Sequence, residues 1–102
     1  MAAFTVRVEL HSASEPDYQI LHAAMETRGF SRYITSDDGI TYHLPTAEYN
    51  REGNFTRQQV LDSAKIAAST TGKKYAILVT ESAGRTWVGL AVKSQYSQPR
   101  RA

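Results

Sequence analysis

Three features of this chain predict an α+β fold, specifically a ferredoxin-like split βαβ sandwich of order βαββαβ. Apolar residues alternate from Phe4 to Leu10. Two stretches with helical spacing, Ser14 to Arg28 and Arg57 to Thr71, each end at a glycine. Ser36-Asp37-Asp38-Gly39 joins two short extended runs, and a final apolar run spans Tyr75 to Thr80. The expected product is a four-stranded antiparallel sheet with both helices on one face, and with room for a short fifth strand. Such a sheet leaves its other face free for RNA, a protein partner or a second copy of the chain.

In the first strand Phe4, Val6, Val8 and Leu10 point one way, and Thr5, Arg7 and Glu9 the other. Ser14 then suits a helix N-cap, Pro16 the first turn, and Glu15 and Asp17 the positive helix end. Tyr18, Leu21 and Met25 form the inner stripe with Ala24, and Arg28 adds only its stem. His22 falls on the outer, solvated face, one turn before Glu26. Gly29 stops the helix. Two strands follow, with Phe30, Arg32 and Ile34 alternating with Ser31, Tyr33 and Thr35, and Ile40, Tyr42 and Leu44 opposite Thr41 and His43. Asp38-Gly39 provides their tight turn. In this topology the second of these strands lies beside the first strand of the chain.

Thr46 to Phe55 reads as a polar loop, long enough to carry function. Thr56 and Gln59 form a capping box for the second helix. Its stripe of Val60, Ala64, Ala67 and Thr71, widened by Leu61 and Ala68, implies a close approach to the sheet. The continuous run Tyr75-Ala76-Ile77-Leu78-Val79-Thr80 predicts a strand buried more fully than the others. Ser82-Ala83-Gly84 turns the chain toward an extension at Thr86-Trp87-Val88, where Trp87 serves as a lid on the core or an interface anchor.

The 102 residues fit one domain, expected over residues 1–90, with a basic, flexible tail at 91–102. There is no cysteine, so disulfides and thiolate metal sites are excluded. No apolar stretch approaches the roughly 20 residues of a membrane helix, and a cytoplasmic location is expected. The Asn54-Phe55-Thr56 sequon then has no secretory context. The formal charge of +2 is a property of the tail. Setting aside Lys93, Arg100 and Arg101 from the twelve basic residues leaves nine against ten acidic ones, a net −1. That balance does not favour tight, nonspecific nucleic-acid binding.

His11, His22 and His43 are the acid–base candidates near neutral pH. Their spacing fits no metal motif, and neither a metal nor a cofactor is expected. If the first and third strands are neighbours, His43 shares the open face with Arg7 and Glu9. A histidine, an arginine and a carboxylate together can activate a ribose hydroxyl and stabilise a phosphorane. The same residues also suit an ordinary cross-strand charge cluster. Asp37 and Asp38 are turn formers first. With Glu9 or His11 they are also candidates for a divalent-cation site, a metal-dependent nuclease being the third-ranked reading. Exposed positions of the first and third strands carry no aromatic platform, which argues against an RNA-recognition motif.

Met25-Glu26-Thr27-Arg28-Gly29-Phe30-Ser31, then Asp37-Asp38-Gly39-Ile40 and Leu44-Pro45, resemble the GhoS family, the endoribonuclease antitoxins of type V toxin–antitoxin systems. By element order the resemblance spans about residues 4 to 80, and its residue matches concentrate in 25 to 45. It implies a fold similar to the small CRISPR-associated nucleases and cleavage of single-stranded toxin messenger RNA in A- and U-rich stretches. It places an acidic position around Glu9 to His11 and a basic one at His22, with Arg28 further along the helix. Where the family extends at its C-terminus, this chain has Arg85-Thr86-Trp87 and a basic tail. The leading expectation is therefore a GhoS-like RNA-processing antitoxin, with Arg7, Glu9 and His43 as catalytic candidates and His11, His22 and Arg28 in reserve. The alternative is a non-catalytic interaction module, a homodimer through the free sheet face or the last strand, that binds and regulates another protein.

Overall fold

The amphipathic first strand sits in the middle of the main sheet. A computed structural model describes residues 2–93. Its elements are β1 (Ala2–Leu10), α1 (Glu15–Thr27), β2 (Tyr33–Thr35), β3 (Thr41–His43), β4 (Glu48–Gly53), α2 (Arg57–Ser69) and β5 (Tyr75–Ser82). The main sheet has three antiparallel strands in the order β4-β1-β5, and β2 and β3 form a separate two-stranded sheet. The fold is α+β, with three strands in its main sheet rather than the four expected.

Phe4, Val6 and Val8 are fully buried and Leu10 nearly so, in one cluster with Leu21 and Met25 of α1 and Val60, Ala64, Ala67 and Ala68 of α2. Both helices therefore cover the same face of β1. Arg7 and Glu9, on the alternate face, are exposed. The helix starts follow their sequence signals. Ser14 donates to the Asp17 carboxylate from its amide at 2.8 Å and from its hydroxyl at 3.0 Å. These two bonds hold the Asp17 carboxyl below its ordinary range. At α2, Gln59 N donates to Thr56 Oγ1 at 3.0 Å, and Thr56 N to Gln59 Oε1 at 2.9 Å.

Three expectations need correction. The first concerns 46–55, read as a loop. Most of it is β4, paired with β1 from Ala2↔Gly53 to Arg7↔Glu48. Its inward side carries one large apolar residue, Tyr49, which is fully buried. The next inward residue, Arg51, lies over the Phe55 ring at 4.3 Å and the Phe30 ring at 5.9 Å, so its charge is carried out past two aromatic faces. A strand with so few apolar residues has no alternation to read.

The second correction is that β3 does not adjoin β1. It pairs with β2, in the register Tyr33↔His43, Ile34↔Tyr42 and Thr35↔Thr41. The hairpin meets the main sheet through one bridge, where Ser31 and Asn50 exchange backbone bonds of 2.8 and 2.7 Å. The turn itself forms as predicted. Gly39 has φ +88°, and Asp38 accepts from the Ser36 hydroxyl and the Ile40 amide, which lower its pKa in that order.

Thirdly, β5 is an edge strand with alternating exposure, and Leu78 is 64% exposed. Its apolar run is continuous, but only one sheet face and one strand edge are covered. Past β5 the chain forms no strand at 86–88. Arg85 Nη1 donates to Thr5 Oγ1 at 3.2 Å, and Trp87 meets Tyr42 edge-on at 5.5 Å. Trp87 thus packs on the hairpin rather than on the main core. The His43 amide donates to Ala91 O and the Lys93 amide to Thr41 O, both at 2.8 Å. The rest of the expected tail, from residue 94 on, lies outside the described residues.

Two stability tests follow from this packing. Phe4→Ala removes a fully buried ring and is expected to cost about 3–5 kcal/mol in urea denaturation. Gly53 has φ +148° and an added Cβ there would overlap the Phe55 ring. Gly53→Ala should therefore lower the denaturation midpoint, whereas Gly84→Ala, where an added Cβ meets nothing within 4 Å, should leave it nearly unchanged.

Candidate functional site

β1 ends at the mouth of a cleft of about 540 Å³ lined by Arg7, Glu9, Tyr18, His22 and Arg32, with Ala47 on the far wall. The chain reaches that wall by a left-handed residue. Ala47 has φ +68°, and its carbonyl accepts from Val8 N at 3.0 Å, which steers the backbone from Pro45 into β4. Beside it, Arg7 pairs with Glu48 at 3.6 Å. Arg7 is largely exposed, so this pair contributes little to stability and leaves the guanidinium available.

His22 forms the floor. The solvated position expected for it is corrected by the structure: it is only 8% exposed. Its Nδ1 lies 2.6 Å from the Tyr49 hydroxyl, a contact between residues 27 apart in sequence. The ring also sits 6.3 Å from that of Tyr18. Tyr18 is anchored in turn, its hydroxyl accepting from Leu10 N at 3.0 Å. Among the described residues, Asn50 Oδ1 is the only buried side-chain polar atom without a partner. His22 and Arg32 line this cleft and also a smaller one of about 230 Å³ with Glu26 and Tyr33.

The electrostatics favour a neutral imidazole. Burial pushes the His22 pKa below its ordinary 6.5, the Arg32 cation pushes it further down, and Glu15 opposes both. Burial likewise raises the Tyr49 phenol, so it stays protonated at neutral pH. Arg32 forms no ion pair among the described residues, and can receive an anion beside the imidazole. No group of three or more metal-ligating side chains occurs among the described residues.

Of the residues singled out from sequence, the structure gathers Arg7, Glu9 and His22 in this cleft. His43 is elsewhere, on β3, edge-on to the Tyr33 ring at 4.9 Å. The Arg7–Glu9–His43 patch is therefore not formed, because β4 occupies the place beside β1. His11 is exposed after β1, its amide bonded to Lys74 O at 2.8 Å. Arg28 donates from Nε to Ser63 Oγ at 2.8 Å and ties α1 to α2. Sequence reasoning missed Arg32, Tyr18 and Tyr49 as members of the site. In sequence Arg32 falls within an alternating run, Tyr18 in the inner helical stripe and Tyr49 in a polar stretch, none of which signals a shared site. The chain matches no protein-family model and no curated protein.

The buried pair makes its own predictions. Tyr49→Phe leaves His22 Nδ1 without its partner and should cost about 1–3 kcal/mol in chemical denaturation. The folded-state pKa of His22 lies below the ordinary 6.5, so on acidification the unfolded chain takes up a proton that the folded chain refuses. This contribution to stability is full above about pH 6.5 and is lost as pH falls from there toward the folded pKa. Denaturation midpoints measured from roughly pH 8 to roughly pH 5 should fall less steeply in His22→Gln than in the parent chain.

Proposed function

We propose that this chain is a GhoS-like, RNA-processing antitoxin with a ferredoxin-like sandwich, cleaving single-stranded toxin messenger RNA in the cleft at the end of β1. Support for the fold reading comes from the order β4-β1-β5 together with the Ser31–Asn50 bridge on the outer side of β4. Counting that bridge as a reduced strand gives the split βαβ arrangement. The observation that carries the functional reading is His22. It is a buried imidazole with Nδ1 held by Tyr49, lining the cleft together with Arg32, which forms no ion pair among the described residues.

The chemistry needs no metal. In the tautomer that donates Nδ1–H to the Tyr49 oxygen, Nε2 carries a lone pair that takes the proton of a ribose 2′-hydroxyl. The 2′-oxygen attacks the adjacent phosphorus, and the 5′-oxygen leaves with a proton from water. The products are a 2′,3′-cyclic phosphate and a 5′-hydroxyl. Arg32 and Arg7 stabilise the charge that develops on the phosphorane oxygens. Glu9 and Glu15 bring two carboxylates to the cleft, and Tyr18 offers a ring edge to a base.

The test is cleavage of A/U-rich single-stranded RNA by the purified chain in the presence of a chelator. His22→Gln is expected to slow cleavage by about 10²–10⁴-fold, and Arg32→Ala by about 10²–10³-fold. His43→Ala, on the separate hairpin, should retain the parent rate. Undiminished cleavage by both His22→Gln and Arg32→Ala would refute this site. No cleavage by the parent chain would favour a non-catalytic interaction module.

A further inference from the structure

The two edges of the main sheet are not alike. β4 is short, carries Glu48, Arg51 and Glu52, ends at Gly53 with φ +148°, and is met on its outer side by Ser31. Those are the usual protections of an edge against further pairing. β5 has none of them from Tyr75 to Thr80. It is eight residues long, regular, and free of proline and of charge until Glu81. Among the described residues only β1 pairs with it. Tyr75, Ile77 and Val79 pack against the core yet stay partly exposed, while Leu78 on the other face is 64% exposed.

We infer that β5 is a homodimer edge, pairing antiparallel with β5 of a second copy about a two-fold axis through Leu78. The edge of β5 is complementary to a second copy of itself. A two-fold pairing keeps both helical layers on one side only if a residue, not a peptide bond, lies on the axis. With Leu78 there, Ile77 faces Val79, Ala76 faces Thr80, and Tyr75 faces Glu81. Shifting the axis to Val79 would set Ile77 against Glu81 in place of Val79 and lose that apolar pair. In the Leu78 register, Glu81 of each copy lies diagonal to the other copy's Lys73. Across the two-fold axis this extends the pairs that Lys73 makes with Asp17 at 3.8 Å and Glu81 with Arg57 at 4.0 Å within each chain. The product is a closed six-stranded sheet, with each end protected by β4. It does not depend on the RNA chemistry proposed above.

Sedimentation and disulfide trapping test this. The full chain should sediment as a dimer of its 11.4 kDa mass at high micromolar concentration. Leu78→Lys, which places a charge where the monomer is already open, should weaken the dimer at least about tenfold without lowering the denaturation midpoint of the monomer. The chain has no cysteine, so Leu78→Cys introduces a single thiol. Directly opposed Cα atoms lie about 4.5–5.5 Å apart, within disulfide reach, and mild oxidation should yield a covalent dimer. Ile66→Cys, 53% exposed on α2, should cross-link far more slowly. A monomer at every concentration, open-ended larger assemblies, or equal cross-linking of the two cysteine variants would each overturn the inference.

Discussion

A strand hydrogen-bonded along both edges and amphipathic across its faces imposes the order seen elsewhere in this molecule. β1 exchanges ladder bonds with β4 on one side and β5 on the other. Because strand side chains alternate with a period of two, a slip of one residue would turn Phe4, Val6, Val8 and Leu10 out to water and Arg7 and Glu9 inward. At about 1.5–3 kcal/mol per buried side chain of this size, and with charges forced into the core besides, that slip is not tolerated. Both neighbouring strands are therefore held in register. The polar end of β1, where the chain leaves for α1 and the wall at Ala47 approaches, becomes a fixed corner. The cleft lies there as a consequence.

That corner places a polar residue where the helix layer would otherwise be apolar. An imidazole only 8% exposed needs a partner, and Tyr49 supplies one at 2.6 Å from the facing strand. The contact does two things at once. It satisfies a buried nitrogen, and it fixes the orientation of the ring. Arg32, arriving from the hairpin, then sets the electrostatic character by disfavouring a second positive charge. Arg28 shows the contrast. It bonds Ser63 between two helices and contributes to their alignment.

The hairpin of β2 and β3 departs from the main sheet after a single bridge and is steadied from the other side by the chain following β5. Backbone bonds from His43 and Lys93 and the Trp87–Tyr42 contact make that attachment. This explains how a three-residue pair of strands, which would be marginal alone, is supported. It also brings Arg32 to the mouth of the cleft, because the Arg32 carbonyl accepts from Leu44 N at 2.8 Å within the same hairpin.

The amino-acid order alone determined the features governed by neighbours in sequence: the alternation of Phe4 to Leu10, both helices with the Thr56–Gln59 cap, and the Asp38-Gly39 turn. Each of these rests on period, capping or turn chemistry within a few residues. Tertiary structure decided the rest. Glu48 to Gly53 became a strand because β1 offered an edge, and its polar pattern hid that fact. His22 turned inward because Tyr49, far along the chain, could bond it, although helical spacing alone had left it on the solvated side. His43 was excluded from the site by the same strand that supplied Tyr49. Leu78 stayed exposed because both helices cover the other face of the sheet, something an apolar run cannot reveal. Strand order and the pairing of buried polar groups are long-range matters, and local sequence carries little record of them.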